Sequence, residues 1–232
     1  MQVTRRNFLS VVSYGAAGSV VARSFCAAEL ARGTPAERNC ALLDSGGNCT
    51  FRESVRGYET ALREAGLSSA RVSPGGLARC RNVIVPACAP WDSGLASHLS
   101  ASLRRGGWVV LESGMGFTDF KEFCARRGWL QVHFGVAVEP PVNLWASRKE
   151  GECLPYVEYT WPVRATVRDF SRAVPVAARE GEIIARVNGF GVALRQMLGK
   201  GTLVFLGSPL GPALLSGDRE AQVWLRALLR AA

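Results

Sequence analysis

The chain has 232 residues, 48% of them apolar, with 28 lysines and arginines against 19 acids and a formal net charge of +9. That length fills one core well and is too short for two comfortable domains, and no apolar stretch reaches membrane-spanning length, so a stable span in the mature chain is excluded. The charge invites nucleic acid, but its placement speaks against it. Arg104-Arg105 precede Gly106, Arg126-Arg127 precede Gly128 and Arg230 lies in the last turn, all at predicted helix ends, with no long basic run and no interleaved aromatics.

In chain order, the first signal is Thr4 to Ser10, "TRRNFLS", leading into "VVSYGAAGSVVA". A positive segment followed by a short, moderately apolar one diluted by glycine and serine resembles a twin-arginine export signal, an address read by a receptor through Arg5 and Arg6. Arg23 behind the apolar segment fits, and "FCAAE" offers small residues for cleavage after Ala28. Cys26 makes a poor lipid-attachment site, because Arg-Ser-Phe precedes it. The predicted organisation is therefore a signal peptide at 1–28, a polar leader at 29–38 and one domain at 39–232, exported to the periplasm or beyond by the twin-arginine route. Export implies an oxidising compartment, where Cys40, Cys49, Cys80, Cys88, Cys124 and Cys153 remain. Proteins on that route usually fold before export in a reducing cytosol, so one disulfide or none is expected. The spacing contains no CxxC and only His98 and His133 to assist, so no metal site and no cofactor is expected.

The mature chain then alternates. "NCALLD" (39–44) reads as a buried strand, and Thr50 and Glu53 have capping-box spacing. Val55, Tyr58, Leu62 and Ala65 follow at helical intervals up to Gly66. "ARV" (70–72) is a weak strand, "SPGG" (73–76) a turn, and "NVIVPA" (82–87) a β-branched strand. A helix with Leu95, Leu99, Ser102 and Leu103 on one face leads to the strand "WVVLE" (108–112), and Phe120, Phe123, Cys124 and Arg127 predict another helix. Residues 129 to 180 are poorly patterned. "EIIARV" and "FGVALRQML" flank Asn188-Gly189, a strong hairpin signal. "GTLVFLGS" (201–208) is a further buried strand, and Ala221, Trp224, Leu225, Leu228 and Leu229 make an amphipathic terminal helix. Strands alternating with helices imply right-handed βαβ units on a parallel sheet.

"ALLDSGGN", "CRNVIVPACAP", "LASHLSASLRRGGWVVLESGMGF" and "LGKGTLVFLGSPLG", in this order, resemble the class I glutamine amidotransferase-like superfamily, and within it the biotin-protein-ligase-type N-terminal domain and the domains attached to some bacterial β-galactosidases. The resemblance implies an α/β, flavodoxin-like three-layer sandwich with a mostly parallel sheet and a C-terminal β-hairpin extension. It places Ser113 where the family has its catalytic cysteine, and Pro86-Ala87-Cys88 where the family's Pro-Gly-Gly would support its oxyanion site, a departure from the pattern. The family's late histidine is missing from "LGSPLGPALLSGDRE". A serine without a base is a weak nucleophile. The best constructible triad is Ser113 with His133, oriented by Glu112 or Asp119; Cys88 is a rival nucleophile, and His98 sits on or beside a packed helix face. Asp44, Ser45, Asn48, Cys88 and Asp119 fall at carboxyl strand ends, where open α/β sheets bind ligands. The expectation is a ligand- or partner-binding envelope protein, its partner an unknown small molecule or envelope protein. The alternative is a serine hydrolase using Ser113 and His133. A sugar-related accessory role is a third reading, from the β-galactosidase resemblance.

Overall fold

The computed structural model describes residues 39–44, 52–77, 79–87, 91–114, 117, 119–145, 155–170, 173–177 and 179–231. The predicted signal peptide, leader and capping-box Thr50 lie outside these residues. The early elements follow expectation: strand β1 (Asn39–Leu43), helix α1 (Arg52–Glu64) and strand β2 (Ser68–Val72). The "SPGG" turn is instead the entry to a one-turn helix, α2 (Pro74–Leu77), with Pro74 at its first position, where the missing N–H has no intrahelical partner to lose. Strand β3 (Asn82–Val85), helix α3 (Ser93–Arg104) and strand β4 (Trp108–Glu112) come next.

Helix α4 (Phe120–Phe134) corrects an expectation, because it runs straight through Gly128. Beyond the glycine it gains Leu130 and Phe134, both buried, and it ends at Gly135 in the left-handed conformation (φ 68°). Burial of these two large side chains outweighs the roughly 1 kcal/mol helix cost of one glycine. Arg126-Arg127 therefore lie mid-helix and not at a helix end.

Among its described residues the unpatterned region holds four short strands, β5 (Ala137–Val138), β6 (Tyr156–Tyr159), β7 (Ala165–Arg168) and β8 (Val176–Ala177). The hairpin is as predicted: β9 (Glu182–Val187) and β10 (Phe190–Leu198) join through Asn188 (φ 47°) and Gly189 (φ 83°), both in the left-handed region that a two-residue turn of this hand requires. Strand β11 (Gly201–Leu206), a short helix α5 (Gly211–Leu215) and the terminal helix α6 (Arg219–Ala231) complete the chain.

The sheet is mixed, open and nine-stranded, in the order β2-β1-β3-β4-β11-β10-β9-β6-β7. The first five strands are mutually parallel and the remaining pairings antiparallel. β5 and β8 form a separate two-stranded ribbon. One face packs Tyr58, Leu62, Trp224 and Leu225 from α1 and α6 against Leu42, Ile84, Val110 and Val204. The other packs Leu95, Leu99, Phe123 and Leu130 from α3 and α4 against Leu43, Val85, Val109 and Phe205. Burial on both faces is why β4 and β11 read as unbroken apolar runs, whereas β6 and β7 alternate because one of their faces meets water.

Candidate functional site at the carboxyl edge of the sheet

Four antiparallel steps separate β11 from β7, so β7 points the same way as β4 and β11. The ends of all three strands, at Glu112, Leu206 and Arg168, therefore meet at one edge. Open α/β sheets place ligands there. Here the edge is filled from within.

Glu112 ends β4 and is 1% exposed. Its Oε1 accepts from the Tyr58 hydroxyl (2.8 Å) and from the backbone N–H groups of Leu210 (2.7 Å) and Gly211 (3.0 Å). Its Oε2 accepts from the Ser54 hydroxyl and from the Ala87 N–H (3.0 Å). One carboxyl thus ties α1, the end of β3 and the loop entering α5 to β4. Burial pushes this carboxyl above its ordinary range, against the pull of the surrounding donors. Burial and the neighbouring Glu112 push the Tyr58 phenol upward as well, so it stays a hydrogen-bond donor at neutral pH.

Ser113 follows and is wholly buried. Its N–H donates to the Leu206 carbonyl (2.8 Å) and its Oγ donates to the Gly207 carbonyl (2.7 Å). The first bond extends the β4–β11 ladder by one residue, and the second ties the side chain to the residue just beyond β11. The hydroxyl faces a carbonyl, which can only accept, and not a base. His133 lies exposed in the last turn of α4, its ring 5.4 Å from that of Trp129 in an edge contact. The predicted Ser113–His133 pairing is thus absent from this arrangement, and Glu112, predicted to orient the histidine, is engaged elsewhere. The Ala87 N–H, expected to line an oxyanion site, is bonded to Glu112. His98 is half-buried on α3.

A second buried carboxylate closes the other side. Asp169, just beyond β7, accepts from the Ser208 hydroxyl (2.6 Å) and from the Trp145 indole N–H (3.3 Å). Residues 207–211 are consequently clamped between Glu112 and Asp169. Of the predicted ligand residues, Asp119 caps α4 by accepting from the N–H groups of Lys121 (2.9 Å) and Glu122 (3.1 Å). Asp44 is exposed at the end of β1, and its N–H donates to the Val72 carbonyl (2.9 Å). Ser45, Asn48 and Cys88 lie outside the described residues. Cys40, Cys80 and Cys124 are free thiols, and burial raises that of Cys40 to about 12. Among the described residues no cluster of His, Cys, Asp and Glu has the makings of a metal site.

Sequence reasoning missed Ser54, Asp169 and Ser208, and placed Tyr58 only on an apolar helix face. One signal was available: a glutamate ending an otherwise apolar strand must find donors inside the protein.

The sequence matches no family model and no curated protein. Solved structures do share its fold. A β-galactosidase from Rahnella sp. R3 is 15% identical at a TM-score of 0.63, over 83% of this chain and 31% of that one. An exo-β-1,4-mannosidase from Opitutaceae bacterium strain TAV5 is 14% identical at 0.57, over 83% of this chain and 35% of that one. A cytoplasmic protein of Salmonella typhimurium LT2 is 10% identical at 0.58, and the match takes in 98% of its length. The chain thus spans about a third of each glycosidase and nearly all of the Salmonella protein, and at these identities the likeness is one of fold.

Proposed function

We propose that the chain is an exported, amidotransferase-like domain of flavodoxin-like type that lacks a complete catalytic triad and serves as a ligand- or partner-binding module in the cell envelope. The order of the five parallel strands, β2-β1-β3-β4-β11, supports the flavodoxin-like assignment, since it is the 2-1-3-4-5 order of that fold. The Asn188-Gly189 hairpin supports the expected β-hairpin extension, although β11, α5 and α6 follow it, so it is not C-terminal.

One observation carries the non-catalytic reading: the residue at the nucleophile position, Ser113, is buried with its hydroxyl given to a main-chain carbonyl, beside a glutamate already holding five donors. An activated serine needs an adjacent base and access to substrate. Ser113 has neither in this arrangement. The fold's likeness to about a third of several glycosidases also supports a modular role, because an accessory domain needs no chemistry of its own.

The test is labelling of the purified protein with a fluorophosphonate probe, comparing wild type with Ser113→Ala and His133→Ala. No labelling of any of the three is expected. Wild-type labelling that vanishes in both variants would replace this reading with a serine hydrolase.

A further inference from the structure

Away from the carboxyl edge, a cleft of about 480 Å³ lies between α4 and the β5–β8 ribbon, lined by Cys124, Arg127, Gly128, Gln131, Ala137 and Arg179. The α4 members recur at three- and four-residue spacing, which puts them along one flank of the helix. Ala137 opens β5, and Arg179 lies just past the end of β8. Two arginines from separate elements therefore line one concavity.

Three other arginines are committed elsewhere. Arg126, next along α4, donates to the Trp91 carbonyl (3.0 Å) and covers the Trp91 ring. Arg195 pairs with Glu182 (2.8 Å) and lies over Trp161. Arg71 is paired with Glu59. Arg127 and Arg179 have no carboxylate partner among the described residues. Glu180, the acid next to Arg179, accepts instead from the Gln196 amide (3.4 Å). Like charges sharing a cleft repel and concentrate positive potential there, and an entering anion reverses that cost. Guanidinium forks match oxyanions in two-point contacts, and the Gln131 amide adds a neutral donor.

We infer that this cleft binds the oxyanion group of a small organic ligand through Arg127 and Arg179, with Gln131 as third donor. The volume lies within the range of small-molecule sites and exceeds what a bare ion fills. Cys124, Gly128 and Ala137 provide a weakly polar wall for the rest of the ligand. The shared chemistry is that of a carboxylate, sulfate or phosphate group.

The probes are sodium citrate, sulfate and phosphate, titrated into the full chain against sodium chloride at matched ionic strength, with the thermal midpoint as readout. Because such salts stabilise proteins generally, the comparison is with Arg127→Gln/Arg179→Gln. Wild type is expected to show a saturable rise from at least one probe, with affinity about tenfold weaker in the double variant. Response to citrate alone assigns a carboxylate, and response to sulfate or phosphate alone a tetrahedral anion; either supports the site. Cys124 gives a second readout, taken as the difference from Cys124→Ser. The effective anion should slow its reaction with an anionic aromatic disulfide in wild type and not in the double variant. If the double variant fails to fold, Gln131→Glu places a carboxylate in the cleft and should abolish the saturable response. Equal responses in wild type and variants, or no saturable response and no protection of Cys124, would overturn the inference.

Discussion

Two opposing influences act on the proton of Glu112. Complete burial favours the neutral acid, while five donors favour the anion, and burial is the larger, so the carboxyl titrates above its ordinary range. The hydroxyls of Ser54 and Tyr58 can turn from donor to acceptor, which gives a protonated Glu112 somewhere to place its own hydrogen. The three backbone N–H groups cannot. A raised folded-state value means that the native protein keeps a proton the unfolded chain has lost. Stability from this group is therefore full below the unfolded value of about 4.3 and declines as pH rises through the folded one. Glu112→Gln removes the titration and turns an amide N–H toward the Ala87 N–H, for a cost of about 1–3 kcal/mol. Urea denaturation from pH 4 to 8 should show the wild-type advantage over Glu112→Gln narrowing as pH rises. An advantage that widens would mean that the ionised form is the stabilised one. Glu112→Ala, which strands five donors around a cavity, should cost about 4 kcal/mol or more at every pH.

At the scale of elements, the crossing of α1 and α5 sets the position of the donors around Glu112. A Cβ on Gly57 would lie 1.9 Å from the Gly211 carbonyl oxygen, and one on Gly211 would lie 2.4 Å from the Ser54 Cα. Those obstacles are backbone, so the helices must separate, carrying Ser54 and the Gly211 N–H away from the carboxyl. Gly57→Ala or Gly211→Ala should destabilise by about 3 kcal/mol or more. Gly128 is mid-helix with nothing within 4 Å of an added Cβ, so Gly128→Ala should stabilise by about 0.5–1 kcal/mol. Thermal denaturation of the three variants separates the two signs. The same contrast explains what was legible in the sequence. β4, β11 and the β9–β10 hairpin announce themselves, through double-faced burial or the Asn-Gly turn. Gly128 reads as a helix end because the side chains that carry α4 past it are paired only in three dimensions. β6 and β7 have four residues each, too few for alternation to stand out. The fate of Ser113 depends on a carbonyl 94 residues away, and no local pattern encodes that.

For the molecule as a whole, the last strand in the chain holds the central position. β11 pairs in parallel with β4 and antiparallel with β10, so it alone joins the five-stranded parallel part to the antiparallel part. All six of its residues are buried, and the loop after it supplies the Gly207 carbonyl and the Leu210 and Gly211 N–H groups. The edge at Glu112 and Ser113 cannot be completed until β11 is in place. This ordering makes a demand on export. If the chain is the twin-arginine substrate proposed above, it crosses folded and should be exported only with β11 seated. Val204→Pro removes a donor and breaks the ladder in the middle of that strand, which a central strand does not tolerate. Fractionation of bacteria expressing the full chain should find wild type in the periplasm. Arg5→Lys/Arg6→Lys should remain in the cytosol, protease-resistant and folded. Val204→Pro should remain there as well, protease-sensitive. Periplasmic Val204→Pro in wild-type amounts would mean that the chain crosses unfolded, and the twin-arginine reading of Arg5 and Arg6 would fall.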